Sequence, residues 1–166
     1  MDTAPAAVLG AMMDEQLKDE GDLLLANVGN FHTIAFSMRG GLVDGIFEHH
    51  TGLLDVNKLD GLLEKLASGT ITHQEVFEDH GHGALVLGGE VHLLDGKEFG
   101  VAVTGPRRQM MAGSRLHPYF AVPFGDMMMA GCYGLIRAAA ELFPQDQDEI
   151  LTALQQGRSR PPWELD

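Results

Sequence analysis

The stretch from Asp22 to Gly52 constrains the fold more than any other part of the chain. It contains apolar or alternating runs that are separated by two glycine-containing turns, Gly29-Asn30 and Gly40-Gly41. Short runs between such turns are typical of strands, because glycine and asparagine tolerate the positive φ that a tight reversal requires. The stretch therefore predicts a three-strand antiparallel meander. Its strands are expected at Leu23–Val28, Phe31–Met38 and Leu42–Glu48.

The rest of the chain alternates helical patterns with short strands. Asp55 and Thr72 have the spacing of helix caps, and glycines punctuate the segments between the elements. Further elements are predicted at Ala4–Lys18 (helix), Val56–Leu66 (helix), Ala84–Leu87 with Glu90–Leu94 (hairpin), Phe99–Thr104 (strand), Tyr119–Val122 (strand) and Gly125–Leu142 (helix). This order predicts an α/β fold: a ribonuclease H-like mixed five-stranded sheet, with the meander followed by parallel strands and with flanking helices.

Length and composition limit the classes of function. At 166 residues the chain suits a single domain over 1–166, with an irregular tail at 157–166. The net charge of −13 argues against nucleic acid as a partner, because contacts to the phosphate backbone need clustered lysine and arginine. No apolar run approaches a membrane span and no signal peptide is recognisable, so no membrane is expected and a cytoplasmic protein is predicted. The single cysteine, Cys132, excludes an internal disulfide and is expected to be buried in its helix.

Two turn segments predict a binding site for a small phosphorylated ligand. Turns rich in glycine present backbone N–H groups to anions, and ligands of open α/β sheets bind at the carboxyl ends of parallel strands. The β-hairpin and the loop after the strand that ends at Thr104 are therefore expected to face one crevice. The residues expected to bind a nucleotide or phosphate are Asn27, Gly29, Asn30, His32, Thr33, Thr104, Gly105 and Pro106.

A second pattern consists of histidines in or beside glycine-containing turns. These are His32, His49, His50, His80 and His82. Imidazole binds Zn, Fe, Ni and Cu, so His80 and His82 are candidate metal ligands, with Glu48 and Asp79 as candidate oxygen donors. Contact with phosphate and a purely structural role are the alternatives for these histidines. His49 and His50, together with Asp126, are the candidate catalytic residues.

A third pattern consists of carboxylates that a two-metal nuclease would need on its central strands, namely Asp44, Glu48 and Asp126. The first strand has Asn27 rather than an acid, so the pattern does not favour a nuclease. Asp126 also has the position of a helix cap, which is the structural alternative for that residue.

Three segments resemble the actin-like ATPase superfamily, which includes actin and hexokinase. LLLANVGNFHTIAF resembles its second phosphate-binding hairpin, with Asn27 in the place of an aspartate that helps to hold Mg²⁺. FGVAVTGP resembles its adenosine-motif strand and loop, with Pro106 in the place of a second glycine, and VPFGDMMMAGCYGLIRAA resembles its closing helix. The resemblance covers residues 5–142 and implies ATP or another nucleotide with Mg as cofactor. It also implies an actin-like amino-terminal half as partner.

A closer resemblance covers most of the chain. VGNFHTIAF, GIFEHHTG, EVFEDHGHGA, VAVTGP and FGDMMMAGCYGLIRA resemble the carboxyl-terminal region of an uncharacterised prokaryotic family that carries the label "putative pyruvate formate-lyase activating enzyme". The labelled activity implies radical chemistry at an iron–sulfur cluster held by three cysteines. With one cysteine, no such cluster is expected in this chain.

These observations predict a nucleotide- or phosphate-binding half-domain of an actin-like ATPase-type protein, with no reaction assigned. The alternatives are a non-catalytic interaction domain that docks onto an amino-terminal partner half, and a histidine-based metal-binding domain. The sequence leaves open whether the chain forms a homo-oligomer and whether it is an enzyme.

Overall fold

A computed structural model of the chain describes residues 1–88 and 100–156. They form two compact units, one built from Met1–Lys18 and the segment that begins at Val122, and the other from Asp19–Ala121. The single domain expected over 1–166 stays a prediction. The irregular tail expected at 157–166 lies outside the described residues.

The unit Asp19–Ala121 contains a mixed sheet of six strands in the order β4-β3-β2-β1-β5-β6. The strands are β1 Leu23–Val28, β2 His32–Arg39, β3 Leu42–His50, β4 Gly83–Val86, β5 Val101–Thr104 and β6 Pro118–Phe120. Neighbours from β4 to β1 are antiparallel, whereas β5 runs parallel to both β1 and β6. The α/β class and the antiparallel meander with added parallel strands are confirmed, while the finer ribonuclease H-like assignment stays a prediction.

The predicted number of five strands is wrong. The sixth strand is β4, which covers most of the first arm of the predicted hairpin and pairs with β3 through Gly45–Glu48. Strand β3 pairs with β2 along one edge and with β4 along the other, and the local sequence does not show which segment takes the second edge. The hairpin partner expected at 90–94 lies outside the described residues.

Helices α2 (Val56–Ala67) and α3 (His73–Glu78) flank the sheet. They begin where predicted, because the side chain of Asp55 accepts a hydrogen bond from the N–H of Lys58 and that of Thr72 accepts one from Glu75. The apolar side of α2 enters the core against one face of the sheet. Core residues from these elements include Val28, Ala35, Phe47, Leu59, Leu63, Leu66, Val76, Val101 and Val103.

The other unit contains α1 (Thr3–Ala11), α4 (Ala130–Leu142) and α5 (Gln147–Gln156). Helix α1 ends before the predicted Lys18, because the buried carboxylate of Asp14 accepts hydrogen bonds from the N–H groups of Gln16 and Val122. An aspartate that binds nearby backbone donors in this way stabilises a turn in place of a continuing helix.

Helix α4 begins at Ala130 and not at the predicted Gly125. Phe124 and Gly125 have φ values of 53° and 80°, which lie in the left-handed region and interrupt a right-handed helix. Cys132 is exposed, so the expectation of a buried cysteine is wrong. The buried side of α4 carries Ala130 and Gly134. Cys132 is two residues from each of them, so it points to the opposite side of the helix.

Two glycines bring α1 and α4 into close contact. A Cβ atom at Gly10 would overlap the carbonyl oxygen of Ala130, and one at Gly134 would overlap the carbonyl oxygen of Ala6. The backbones of the two helices therefore touch at this crossing, with no side chain between them.

None of the helices in the described ranges combines the length and the hydropathy of a membrane span.

Glu64 of α2 forms an ion pair with Arg115, and the contribution of this pair to stability should depend on pH. The Glu64 carboxylate accepts two hydrogen bonds of 2.7 Å from the Arg115 guanidinium. This bonding, and secondarily the positive charge, hold the pKa of Glu64 below its usual 4.5, although partial burial opposes the shift. The lowered pKa means that the stabilisation is complete above about pH 4.5 and is lost as pH falls through the folded-state value.

We therefore expect Glu64→Gln to lower the free energy of unfolding by about 1 kcal/mol at pH 7, as for a well-formed but largely exposed pair. The difference from the wild type should shrink towards zero as the pH falls below 4.5 and the Glu64 carboxylate becomes protonated, which urea unfolding at a series of pH values measures. A difference between the two proteins that stays constant as the pH is lowered from 7 to well below 4.5 would contradict this assignment.

Candidate functional site

Three histidines converge at one end of the sheet. His32 lies at the start of β2, His50 at the end of β3, and His82 in the turn that leads into β4. Each offers one ring nitrogen, and the three nitrogens lie within 4.8 Å of one another. The ring centroids are 4.6 to 5.0 Å apart. We call these residues the three-histidine cluster.

Strand register explains why residues so distant in sequence meet. His32 and His50 are direct cross-strand partners in the antiparallel β2–β3 pair, so their side chains leave the same face of the sheet. The N–H of His82 donates a 2.9 Å hydrogen bond to the carbonyl of Glu48, which fixes the third histidine beside the end of β3.

A buried network lies behind the cluster. His49 is fully buried, and its Nε2 lies 3.1 Å from the Asp79 carboxylate, which also pairs with Lys58 at 2.5 Å. The other ring nitrogen of His49 lies 3.2 Å from the carbonyl oxygen of His50. A Cβ on Gly81 would lie 2.7 Å from the His49 ring, so the turn that carries His82 packs directly on this buried imidazole. The network therefore links the end of β3, which carries His50, to the turn that carries His82.

We expect His49→Ala to lower the free energy of unfolding of this unit by about 2–4 kcal/mol, because the change removes a buried, hydrogen-bonded ring and leaves a cavity under Gly81. Urea unfolding measures the effect. His80→Asn is the matched control, since His80 is exposed at a φ of 64°, where asparagine is well tolerated. Equal stability of the two variants would contradict a supporting role for His49.

The electrostatics favour a neutral imidazole at His50. Burial lowers the pKa of His50 below its usual 6.5, and the rings of His82, His32 and His49 lower it further, in that order, while Glu48 raises it. The Glu48 carboxylate lies 3.8 Å from Nδ1 of His32, which is beyond hydrogen-bonding distance. Neutral imidazole is the form that ligates metals.

The two segments expected to bind phosphate are neighbours in the sheet. Asn27 of β1 is paired with Thr104 of β5, and the N–H of Arg107 donates a 2.9 Å hydrogen bond to the carbonyl of Val28. In the part of the chain that the structure describes, the buried hydroxyl oxygen of Thr104 is without a hydrogen-bond partner. The hairpin of β1 and β2 and the loop Thr104–Pro106 therefore reach the same end of the sheet, while the ligand-binding crevice expected between them stays a prediction.

The glycines of these segments pack tightly. A Cβ at Gly105 would lie 2.5 Å from the carbonyl oxygen of Val28, and one at Gly29 would lie 2.5 Å from that of His32. The N–H of Gly29 already donates to the carbonyl of His32. Both glycines thus allow close backbone approach. The loop that links β1 to β2 ends at Phe31, whose side chain is 81% exposed.

The remaining predicted site residues lie elsewhere. His80 is not part of the three-histidine cluster. Asp126 belongs to the unit that contains α4, and its carboxylate accepts a hydrogen bond from the N–H of Met128, which is the capping alternative. Asp44 forms an ion pair with Arg39. Thr33 is buried, and its hydroxyl lies 2.9 Å from that of Thr51.

Sequence reasoning named all three histidines of the cluster but not their grouping. The sequence weighs metal binding for the five-histidine set and names His80 and His82 as candidate ligands, whereas His32 is among the expected phosphate contacts and His50 is a candidate catalytic residue. The predicted meander could have revealed part of this grouping. The turn at Gly40-Gly41 sets the register of β2 against β3, and that register makes His32 and His50 cross-strand partners.

Comparisons with known proteins add a family but no relative of known activity. No curated protein and no solved structure matches the chain. Residues 1–110 match the model of a family described as "Putative pyruvate format-lyase activating enzyme (DUF1786)". The match spans more than half of the 166 residues and includes the whole three-histidine cluster. The chain therefore belongs to the DUF1786 family.

Proposed function

We propose that the chain binds one divalent transition-metal ion through His32, His50 and His82. The observation that carries the proposal is the convergence of three ring nitrogens within 4.8 Å of one another. Zn–N bonds of about 2.0–2.1 Å in a tetrahedron place ligand nitrogens roughly 3.4 Å apart. The cluster reaches that spacing by small side-chain rotations, because His32 and His82 are exposed and have room to turn.

The ligand set fits a zinc-type ion better than a hard cation. Imidazole nitrogen suits Zn, Cu, Fe and Ni, whereas Mg and Ca select oxygen ligands. Three protein ligands leave a fourth tetrahedral position for water or a ligand, as in catalytic zinc sites, whereas structural sites are closed by four protein ligands. The supported function is therefore a metal centre that has an open coordination position.

The family's description points to different chemistry. Activation of a lyase by radical chemistry uses an iron–sulfur cluster bound by cysteine thiolates. These 166 residues contain one cysteine, Cys132, which is exposed on α4. The three-histidine cluster offers nitrogen donors instead, so the proposal assigns this chain a mononuclear histidine centre and not that cluster.

Zinc titration of the purified protein, after treatment with a chelator, tests the proposal. We expect one zinc ion per chain and a stability gain of about 2.7 kcal/mol when free zinc is at 100 times its Kd. Magnesium at the same concentration should leave the stability unchanged. A protein whose unfolding curve and calorimetric trace do not respond to zinc would overturn the proposal.

We propose phosphate or nucleotide binding as a second candidate function. It is supported by the pairing of Asn27 with Thr104 and by the buried hydroxyl of Thr104, which has no hydrogen-bond partner among the described residues. Thermal unfolding with Mg-ATP, Mg-ADP or inorganic phosphate tests it, with Thr104→Val as the matched variant. A stabilisation by any of these ligands that Thr104→Val removes would support the candidate, and no stabilisation by any of them would exclude it for this chain.

A further inference from the structure

An open pocket adjoins the three-histidine cluster. Its volume is about 240 Å³, and the residues that line it include Ile46, Glu48, His73, His82 and Leu85. His82 belongs to both the pocket and the cluster. A ligand in the pocket therefore lies next to an ion held by the histidines.

Strand register places two residues of the pocket on the same face of the sheet as His50 of the cluster. Ile46, Glu48 and His50 are alternate residues of β3, so their side chains leave the same face. Leu85 is the cross-strand partner of Ile46, and Gly83 is the partner of Glu48. Because Gly83 has no side chain, the His73 ring packs directly against the backbone there: a Cβ at Gly83 would lie 2.2 Å from its Nδ1.

The pocket has three chemically different parts. The open coordination position beside His82 accepts an oxygen or nitrogen donor. Glu48 supplies a carboxylate 3.8 Å from the His32 ring but outside the three-histidine cluster, so its charge is available to a ligand. Ile46 and Leu85 supply an apolar wall, on which Leu85 is 56% exposed. A complementary ligand therefore carries a metal-binding oxygen, a cationic amine and a small apolar body.

We propose that this pocket binds a small apolar α-amino acid or a close amine-containing relative. The carboxylate of the ligand would reach the metal, its ammonium group would pair with Glu48, and its side chain would cover Ile46 and Leu85. A volume of about 240 Å³ suits a ligand of this size and is too small for a nucleotide. This inference rests on the metal centre proposed above.

Three related probes separate the contacts. Calorimetry on the zinc-loaded protein would compare L-leucine with 4-methylpentanoate, which lacks the amine, and with 3-methylbutylamine, which lacks the carboxylate. We expect L-leucine to bind about tenfold or more tightly than either truncated probe, because each loses one charge-assisted contact. Glu48→Gln should abolish the preference for L-leucine over 4-methylpentanoate. Glu78→Gln, an exposed change on α3, should leave it intact.

The outcomes distinguish the two proposals. A protein that takes up no zinc overturns the metal centre and the ligand pocket together. Zinc uptake without binding of L-leucine overturns the pocket alone. The pocket proposal is also overturned if Glu48→Gln keeps the full preference for L-leucine over 4-methylpentanoate, or if the zinc-free protein binds L-leucine as tightly as the zinc-loaded protein.

Discussion

Changing His50 to alanine is expected to raise the Kd for zinc by at least about 100-fold, since the loss of even an outer partner of a ligand costs 10- to 100-fold. His50 is the least exposed of the three ligating candidates, and its ring lies within 5.0 Å of both others. Without it, two exposed imidazoles remain, and the ion would rely on water for its other ligands. Competition against a chromogenic chelator measures the Kd.

His80→Asn is the control for this experiment. It also removes one imidazole from the same region, but His80 is outside the cluster. We expect its Kd for zinc to equal that of the wild type within about threefold, which corresponds to less than 1 kcal/mol. Equal weakening by the two changes, or none by either, would show that zinc does not bind where the three histidines meet.

A second large effect is expected at the contact of α1 with α4. Gly134→Ala should lower the free energy of unfolding by about 3 kcal/mol, at the upper end of the usual cost of overpacking. The added methyl group would overlap the backbone carbonyl of Ala6, and a backbone atom cannot turn aside as a flexible side chain can. The two helices would have to separate. Urea unfolding followed by circular dichroism measures the loss.

Gly131→Ala provides a matched control on the same helix. The space around a Cβ at Gly131 is open, so the same chemical change there should stabilise the chain by up to about 1 kcal/mol through helix propensity. The two substitutions are thus expected to act in opposite directions. Similar unfolding midpoints for both variants would contradict the close crossing of α1 and α4.

Local signals in the sequence were sufficient for much of the sheet unit. Glycine-containing turns predicted the meander, and the caps at Asp55 and Thr72 predicted where α2 and α3 begin. Boundaries that depend on distant contacts were missed. Helix α1 ends early because Asp14 binds the N–H of Val122, a residue 108 positions away in the chain. No local pattern contains that information.

The candidate site also combines features that the local sequence predicts with features that depend on distant contacts. Its histidines were visible in the sequence, but their grouping depends on register and on backbone conformation. Alternation along an extended segment predicted that His80 and His82 act together, whereas His80 has a left-handed φ of 64° and stands outside the cluster. His82 instead joins His32 and His50 through the hydrogen bond of its N–H to Glu48. The pairing of β2 with β3 brings the other two histidines together.

X-ray absorption at the zinc edge of the zinc-loaded protein tests the metal centre most directly, because it reports the type and number of ligand atoms. The expected first shell contains three imidazole nitrogens and one further light atom at about 2.0–2.1 Å. The three-imidazole pattern should be lost in His50→Ala and kept in His80→Asn. A first shell made only of oxygen, or one that contains sulfur, would contradict the account.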